Sequence, residues 1–203
     1  ICLSDELQFL PTDRLLQFNS PKAYICTMST RSKKKLEEIK TGLFSNDTNT
    51  VLQALHQLDE YPYAELVEPL LVLYAQKPAP AVAVRLQEIL TTLKVSGVEE
   101  IFMKALRAPE LKHCRKDFFH FMWSSNIQPE EGWVLIAELA ASGTYEECLE
   151  ILSLLDNTEH ELLEEELLEA VSILKMSLNE HPDEEAAPMR KLLLEGFSDR
   201  LNQ

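Results

Sequence analysis

Glycine is scarce: the chain of 203 residues has five. A sheet protein needs turn residues about every ten positions, so a strand-rich fold is excluded. The glycine patterns that cradle phosphate or nucleotide, GxGxxG and GxxxxGK[ST], are missing, and so is the GxSxG elbow of serine hydrolases. No apolar run approaches the roughly 20 residues that cross a bilayer. The opening residues also lack the charged segment, apolar core and cleavage site of a signal peptide. The four cysteines, Cys2, Cys26, Cys114 and Cys148, are scattered and form no CxxC pair. Such spacing predicts reduced thiols and a cytoplasmic protein rather than a disulfide framework. No DxDxDG calcium loop occurs either.

Basic residues are also missing from one region. Residues 1–128 hold 15 acidic and 15 basic side chains, whereas residues 129–203 hold 19 acidic and 4 basic, so the last third carries the whole net charge of −15. Nucleic-acid binding requires cations to displace counterions from phosphates. An acidic third works against that, and it is repelled by an anionic membrane surface as well.

What the chain does have is leucine, alanine and glutamate in a helical rhythm. Stripes recur at Leu36, Ile39 and Leu43; at Val51, Leu52, Ala54, Leu55 and Leu58; and at Leu66, Val67, Leu70, Leu71, Leu73 and Tyr74. Further stripes follow at Val82, Leu86, Ile89, Leu90 and Leu93; at Val98, Ile101, Phe102, Ala105 and Leu106; and at Phe118, Phe121 and Met122. The rest read Trp133, Ile136, Ala137 and Ala140; Cys148, Ile151, Leu152 and Leu155; Leu163, Leu167, Val171, Leu174 and Leu178; and Met189, Leu192, Leu193 and Phe197. This period predicts an all-α protein. Short breaks such as "DEYPY", "QKPAP", "APE", "SGT" and "DNTE" separate the stripes. Helical pairs begin near 48, 80, 110 and 144, a spacing of about 30–34 residues that marks stacked helical repeats. One pair cannot bury its own stripe, so stacking is a condition of stability.

Residues 1–27 lack this period and contain Pro11 and Pro21; "MSTRSKKKLEEI" then opens a clean helix. Two readings stand: translation starts at Met28, or 1–27 is an ordinary N-terminal arm. The expected organisation is an extension over 1–31 and one helical-repeat domain over 32–203.

The stretch "LFSNDTNTVLQALHQLDEYPYAELVEPLLVLYA" resembles a bacterial HEAT-like repeat, and "APAVAVRLQEIL" carries a HEAT-like pattern at Pro80, Val84 and Arg85. "CRKDFFHFMWSSNIQPEEGWVLIAELAASGTYEECLEILSLLDN" is similar to HEAT-like proteins of Bacteroidetes bacteria. The resemblance covers roughly 41–180. It implies an α-solenoid of armadillo type and a binding scaffold without a chemistry of its own.

Three groups of residues are candidates for function. His113, Asp117 and His120, at i, i+4 and i+7 of one expected helix, have the ligand types for zinc, against the simpler reading of polar residues on a solvated face. The basic cluster Lys104, Arg107, Lys112, Arg115 and Lys116 suits an acidic partner or a phosphate, against an ordinary charged rim. Trp123 and Trp133 are candidate interface anchors, against core packing. The preferred reading is a non-enzymatic scaffold with no cofactor or metal. Its partner is a protein or peptide with a basic face, met by Glu146, Glu147, Glu161 and Glu165 and flanked by Lys112, Arg115, Lys116, Trp123 and Trp133. Alternatives are a DNA-glycosylase-like solenoid and a metal-dependent enzyme. The chain is expected as a monomer, or in weak head-to-tail association of 104–116 with the acidic third.

Overall fold

The computed structural model describes residues 30–60 and 64–202, with side chains from 33 onward. The arm over 1–27, the start at Met28, and Cys2 and Cys26 lie outside the described residues. Within them all regular structure is helical, as the period requires. The helices are α1 (Thr30–Leu43), α2 (Thr48–Gln57), α3 (Val67–Ala75), α4 (Pro80–Leu90), α5 (Glu99–Arg107), α6 (Arg115–Ser124), α7 (Trp133–Ala141), α8 (Tyr145–Asn157), α9 (Glu164–Glu180) and α10 (Ala187–Leu201). Short 3-10 segments, Ala64–Leu66 and Pro109–Cys114, lead into α3 and α6.

Local chemistry sets several of these boundaries. Asp47 caps α2 by accepting from the Thr50 backbone N–H at 2.9 Å. Pro80 opens α4, where its missing N–H costs nothing. Thr144 and Glu147 form a reciprocal capping box at α8, with bonds of 2.8 and 3.2 Å. Gly132 precedes α7 with φ at +99°, a left-handed conformation, and a Cβ there would stand 2.6 Å from Met103 Cε.

The helices pack mainly on near neighbours in the chain. α1 meets α2 and α3, α2 meets α4, and α3 meets α4 and α5. α5 meets α6, α6 meets α8, α7 meets α8 and α9, and α10 meets α8 and α9. One continuous core runs through this ladder, from Leu36 and Ile39 to Leu193 and Phe197.

Most of the stripe residues are buried; Leu52, Tyr74, Ile89, Leu93, Ile101, Leu152 and Leu178 are half-buried, and two are exposed. Leu163 and Leu192, expected in the core, are 53% and 45% exposed. Leu163 precedes the first turn of α9, so it has no helical face to share. Leu192 sits beside the buried Leu193, one residue off the centre of α10's inner face.

Leu55, fully buried in α2, checks the phase. Leu55→Ala should lower the unfolding free energy by about 2–5 kcal/mol in denaturant titration, the usual loss for a buried leucine. A loss below about 1 kcal/mol would mean that this stripe does not carry core packing.

Candidate functional site

Acidic residues mark the openings of α5, α7 and α9. Glu99 and Glu100 begin α5, Glu130 and Glu131 precede α7, and Glu164, Glu165 and Glu166 begin α9. A carboxylate near a helix N-terminus is favoured by the macrodipole, which is the local reason for the pattern. Tertiary packing then gathers them. A cleft of about 760 Å³ is lined by Glu99, Glu100, Glu130, Glu131 and Glu166, with Arg107 the one cation on its wall.

Glu166 differs from the other four. Its carboxylate accepts from the backbone N–H groups of Gly132, at 2.9 and 3.0 Å, and of Trp133, at 3.0 Å. It therefore caps α7 from a neighbouring helix. Glu99, Glu100, Glu130 and Glu131 form no ion pair among the described residues and leave the cleft anionic.

The far end of α7 is closed by a buried cation. Arg190, 1% exposed, donates from Nε to Ala140 O at 3.1 Å and from Nη2 to Gly143 O at 3.2 Å. Its Nη1 donates to Glu184 at 2.8 Å, and Ser177 Oγ donates to Ala141 O at 3.0 Å. Arg200 similarly donates to the carbonyls of Leu155, at 2.5 Å, and Thr158, at 2.7 Å, at the end of α8. Two of the four basic side chains of residues 129–203 are thus spent on helix ends. Lys175 and Lys191 are the two left on the surface.

The basic cluster is partly consumed as well. Lys104 pairs with Glu68 at 2.7 Å, and Arg115 Nε donates to Leu106 O at 3.1 Å. Arg107, Lys112 and Lys116 stay exposed, with Lys116 3.8 Å from Asp117.

The three candidate metal ligands do not share one helix face. His113 lies in the 3-10 segment ahead of α6, and its Nε2 is 3.0 Å from Ala75 O. Asp117 accepts from Tyr74 Oη at 2.9 Å, and His120 Nδ1 lies 3.2 Å from Glu150. The expectation took a single helix from His113 onward, whereas the α-helix starts at Arg115. Among the described residues no group of three or more His, Cys, Asp or Glu is gathered to hold a metal ion.

The tryptophans divide. Trp133 is fully buried, donates to Pro129 O at 3.1 Å and meets the Phe197 ring edge to face at 5.9 Å. It is a core residue and cannot be the surface anchor expected of it: as the first residue of α7, it points into the packing with α10. Trp123 is partly exposed; its indole donates to Glu150 at 2.6 Å and packs edge on against His120.

The expected carboxylates fall in separate places. Glu147 is half-buried in its capping box, with Glu146 exposed beside it. Glu161 lines a second hollow of about 440 Å³ with Glu159, Glu164 and Arg200, and Glu165 is exposed on the first turn of α9. Glu99, Glu100, Glu130 and Glu131 were not among the expected residues. Their signal was present as two EE doublets 31 positions apart, one repeat length.

The buried thiols are held protonated. Burial pushes Cys148 up to about 11, with Arg190 opposing, and burial likewise raises Cys114. A thiolate is the reactive form, so neither cysteine is poised as a nucleophile.

No protein-family model, curated protein or solved structure matches this chain.

Two measurements check these assignments. With iodoacetamide at pH 8, Cys114 and Cys148 should stay unlabelled in the folded protein and react after denaturation, as read by peptide mass spectrometry; labelling of Cys148 without unfolding would contradict its enclosure. Arg190→Met should cost roughly 2–5 kcal/mol, because it strands buried carbonyls at the end of α7. A change within about 0.5 kcal/mol would make Arg190 a passive filler.

Proposed function

We propose that the ten helices form one α-solenoid of HEAT-like hairpins that acts as a non-enzymatic scaffold for a protein or peptide with a basic face. The packing of each helix on partners one or two places away supports the solenoid, because stacked repeats contact chiefly their neighbours. Starts at Thr48, Pro80, Pro109 and Tyr145 support a repeat of about 30–35 residues.

The observation that carries the functional reading is the cleft at the openings of α5, α7 and α9. Four carboxylates that form no ion pair among the described residues share its wall with Arg107. The last third also retires Arg190 and Arg200 into helix caps, so its outer surface is more acidic than its composition. A field of this sign attracts and orients a cationic partner, raising the association rate more than the affinity. It repels phosphates, which disfavours the nucleic-acid reading.

A fluorescent Lys/Ser peptide serves as the basic probe. Its association rate should fall steeply, by about tenfold, between 50 and 300 mM salt as the Debye length shortens. Changing Glu99, Glu100, Glu130 and Glu131 to glutamine should slow it at low salt, and Glu161→Lys with Glu165→Lys should slow it too. A rate indifferent to salt and to both sets of substitutions sinks the proposal and leaves the acid a role in solubility alone.

A further inference from the structure

Leu192 is not the one large apolar side chain outside the core of the last hairpins. On α8, Tyr145 is 40% and Leu149 43% exposed. Their relation follows from contacts already described. Arg190, in the first turn of α10, reaches the carbonyl of Gly143 just before α8, and Arg200, in the last turn, reaches that of Leu155 near the end of α8. The two helices therefore run side by side in the same direction. Their seam is close: a Cβ on Gly196 would stand 3.0 Å from Leu155 Cδ2.

Leu192 lies one turn before Gly196 on the same strip of α10, while on α8 Tyr145 stands about 80° and Leu149 about 120° round from Leu155, both on the exposed side. On α8 the flank toward α6 is taken by Glu150, which binds Trp123 and His120. Leu149 stands about 100° round from Glu150, in the middle of the exposed face, with Tyr145 about 40° nearer the seam. Tyr145 and Leu192 thus border the outer edge of one seam between parallel helices, and Leu149 stands beside Tyr145 on the outer face of α8. The exposed charges on the outer faces of these helices are mostly acidic: Glu146, Asp156, Glu195 and Asp199, against Lys191.

We propose that the α8–α10 seam is a docking strip for an amphipathic helical segment of a partner. That segment presents two or three large apolar side chains at i, i+3 or i+4 spacing, flanked by lysine or arginine. The apolar row needs a matching apolar row, and the acidic flanks select the sign of the occupant's charge. A second copy binding through the same seam would bring like charges together, which argues against a symmetric pair. The proposal rests on the scaffold reading above and adds the surface and the kind of segment it takes.

The test uses the whole chain and two probe peptides of identical Leu/Lys composition. One is patterned as an amphipathic helix, and the other is scrambled. The patterned peptide should bind about tenfold tighter by fluorescence anisotropy. Leu149→Ser with Leu192→Ser should remove that preference while leaving the Lys/Ser probe's binding and the melting temperature unchanged. If the double variant does not fold, each single substitution should remove part of the preference. Leu168→Ser with Met176→Ser, on the exposed face of α9, should leave the preference intact. Equal binding of the two peptides overturns the proposal, as does a preference that survives at the seam or is lost equally with the α9 pair. So does a dimer of the protein alone that the seam substitutions dissolve, because a second copy is then the occupant. Loss of salt dependence with an intact patterned preference would instead remove the electrostatic reading and spare the seam.

Discussion

Helix α7 is almost wholly apolar, and its ends are held by charges from elsewhere in the chain. Nine residues, WVLIAELAA, carry one glutamate and no capping side chain of their own. A buried helix with open ends would strand N–H groups at one end and carbonyls at the other, each at a cost of about 1–3 kcal/mol. Glu166 of α9 meets the N-terminal donors, and Arg190 of α10 and Ser177 of α9 meet the C-terminal acceptors. Negative charge stands at the positive end and positive charge at the negative end, as the macrodipole favours. α7 therefore depends on α9 and α10 being docked, and Trp133 against Phe197 fixes the same three helices through the core.

The same device recurs along the chain in milder form. His113 closes the end of α3 at Ala75, Ser125 Oγ donates to Leu90 O at the end of α4, and Arg200 closes α8. In each case a residue 35 to 45 positions later closes the end of an earlier helix. This division of labour decides which charges remain for the outside. Two of the four cations of the last third, Arg190 and Arg200, go inward, while Glu99, Glu100, Glu130 and Glu131 stay on the wall of a cleft. The acidity of the surface and the closing of helix ends are two consequences of one allocation of side chains.

Much of the fold was legible because it rests on local signals. The 3.6-residue period found the core stripes, and Asp47, Pro80 and Thr144 marked three helix starts within a residue or two. What failed depended on neighbours. A stripe says which face of a helix is inward, and it does not say where the next helix ends; Leu192 therefore passed for core while lying on the outer edge of a seam. Both tryptophans stand near helix ends, but Trp133, the first residue of α7, is turned into the core, whereas Trp123, next to last in α6, is half-exposed beside the buried Met122. In the run Glu164, Glu165, Glu166 nothing local distinguishes the residue that caps α7 from the two that stay exposed. The cleft was half legible: the doublets were visible, and their meeting needed α5, α7 and α9 to align.

The central claim is that α7, α9 and α10 stand or fall together because of the charges at the ends of α7. Native-state hydrogen exchange on Glu166→Ala tests it most directly. The account predicts that amides throughout α7, α9 and α10 lose protection by a common factor, while those of α1 to α3 keep theirs. Faster exchange confined to the first turn of α7, with α9 and α10 unchanged, would contradict it.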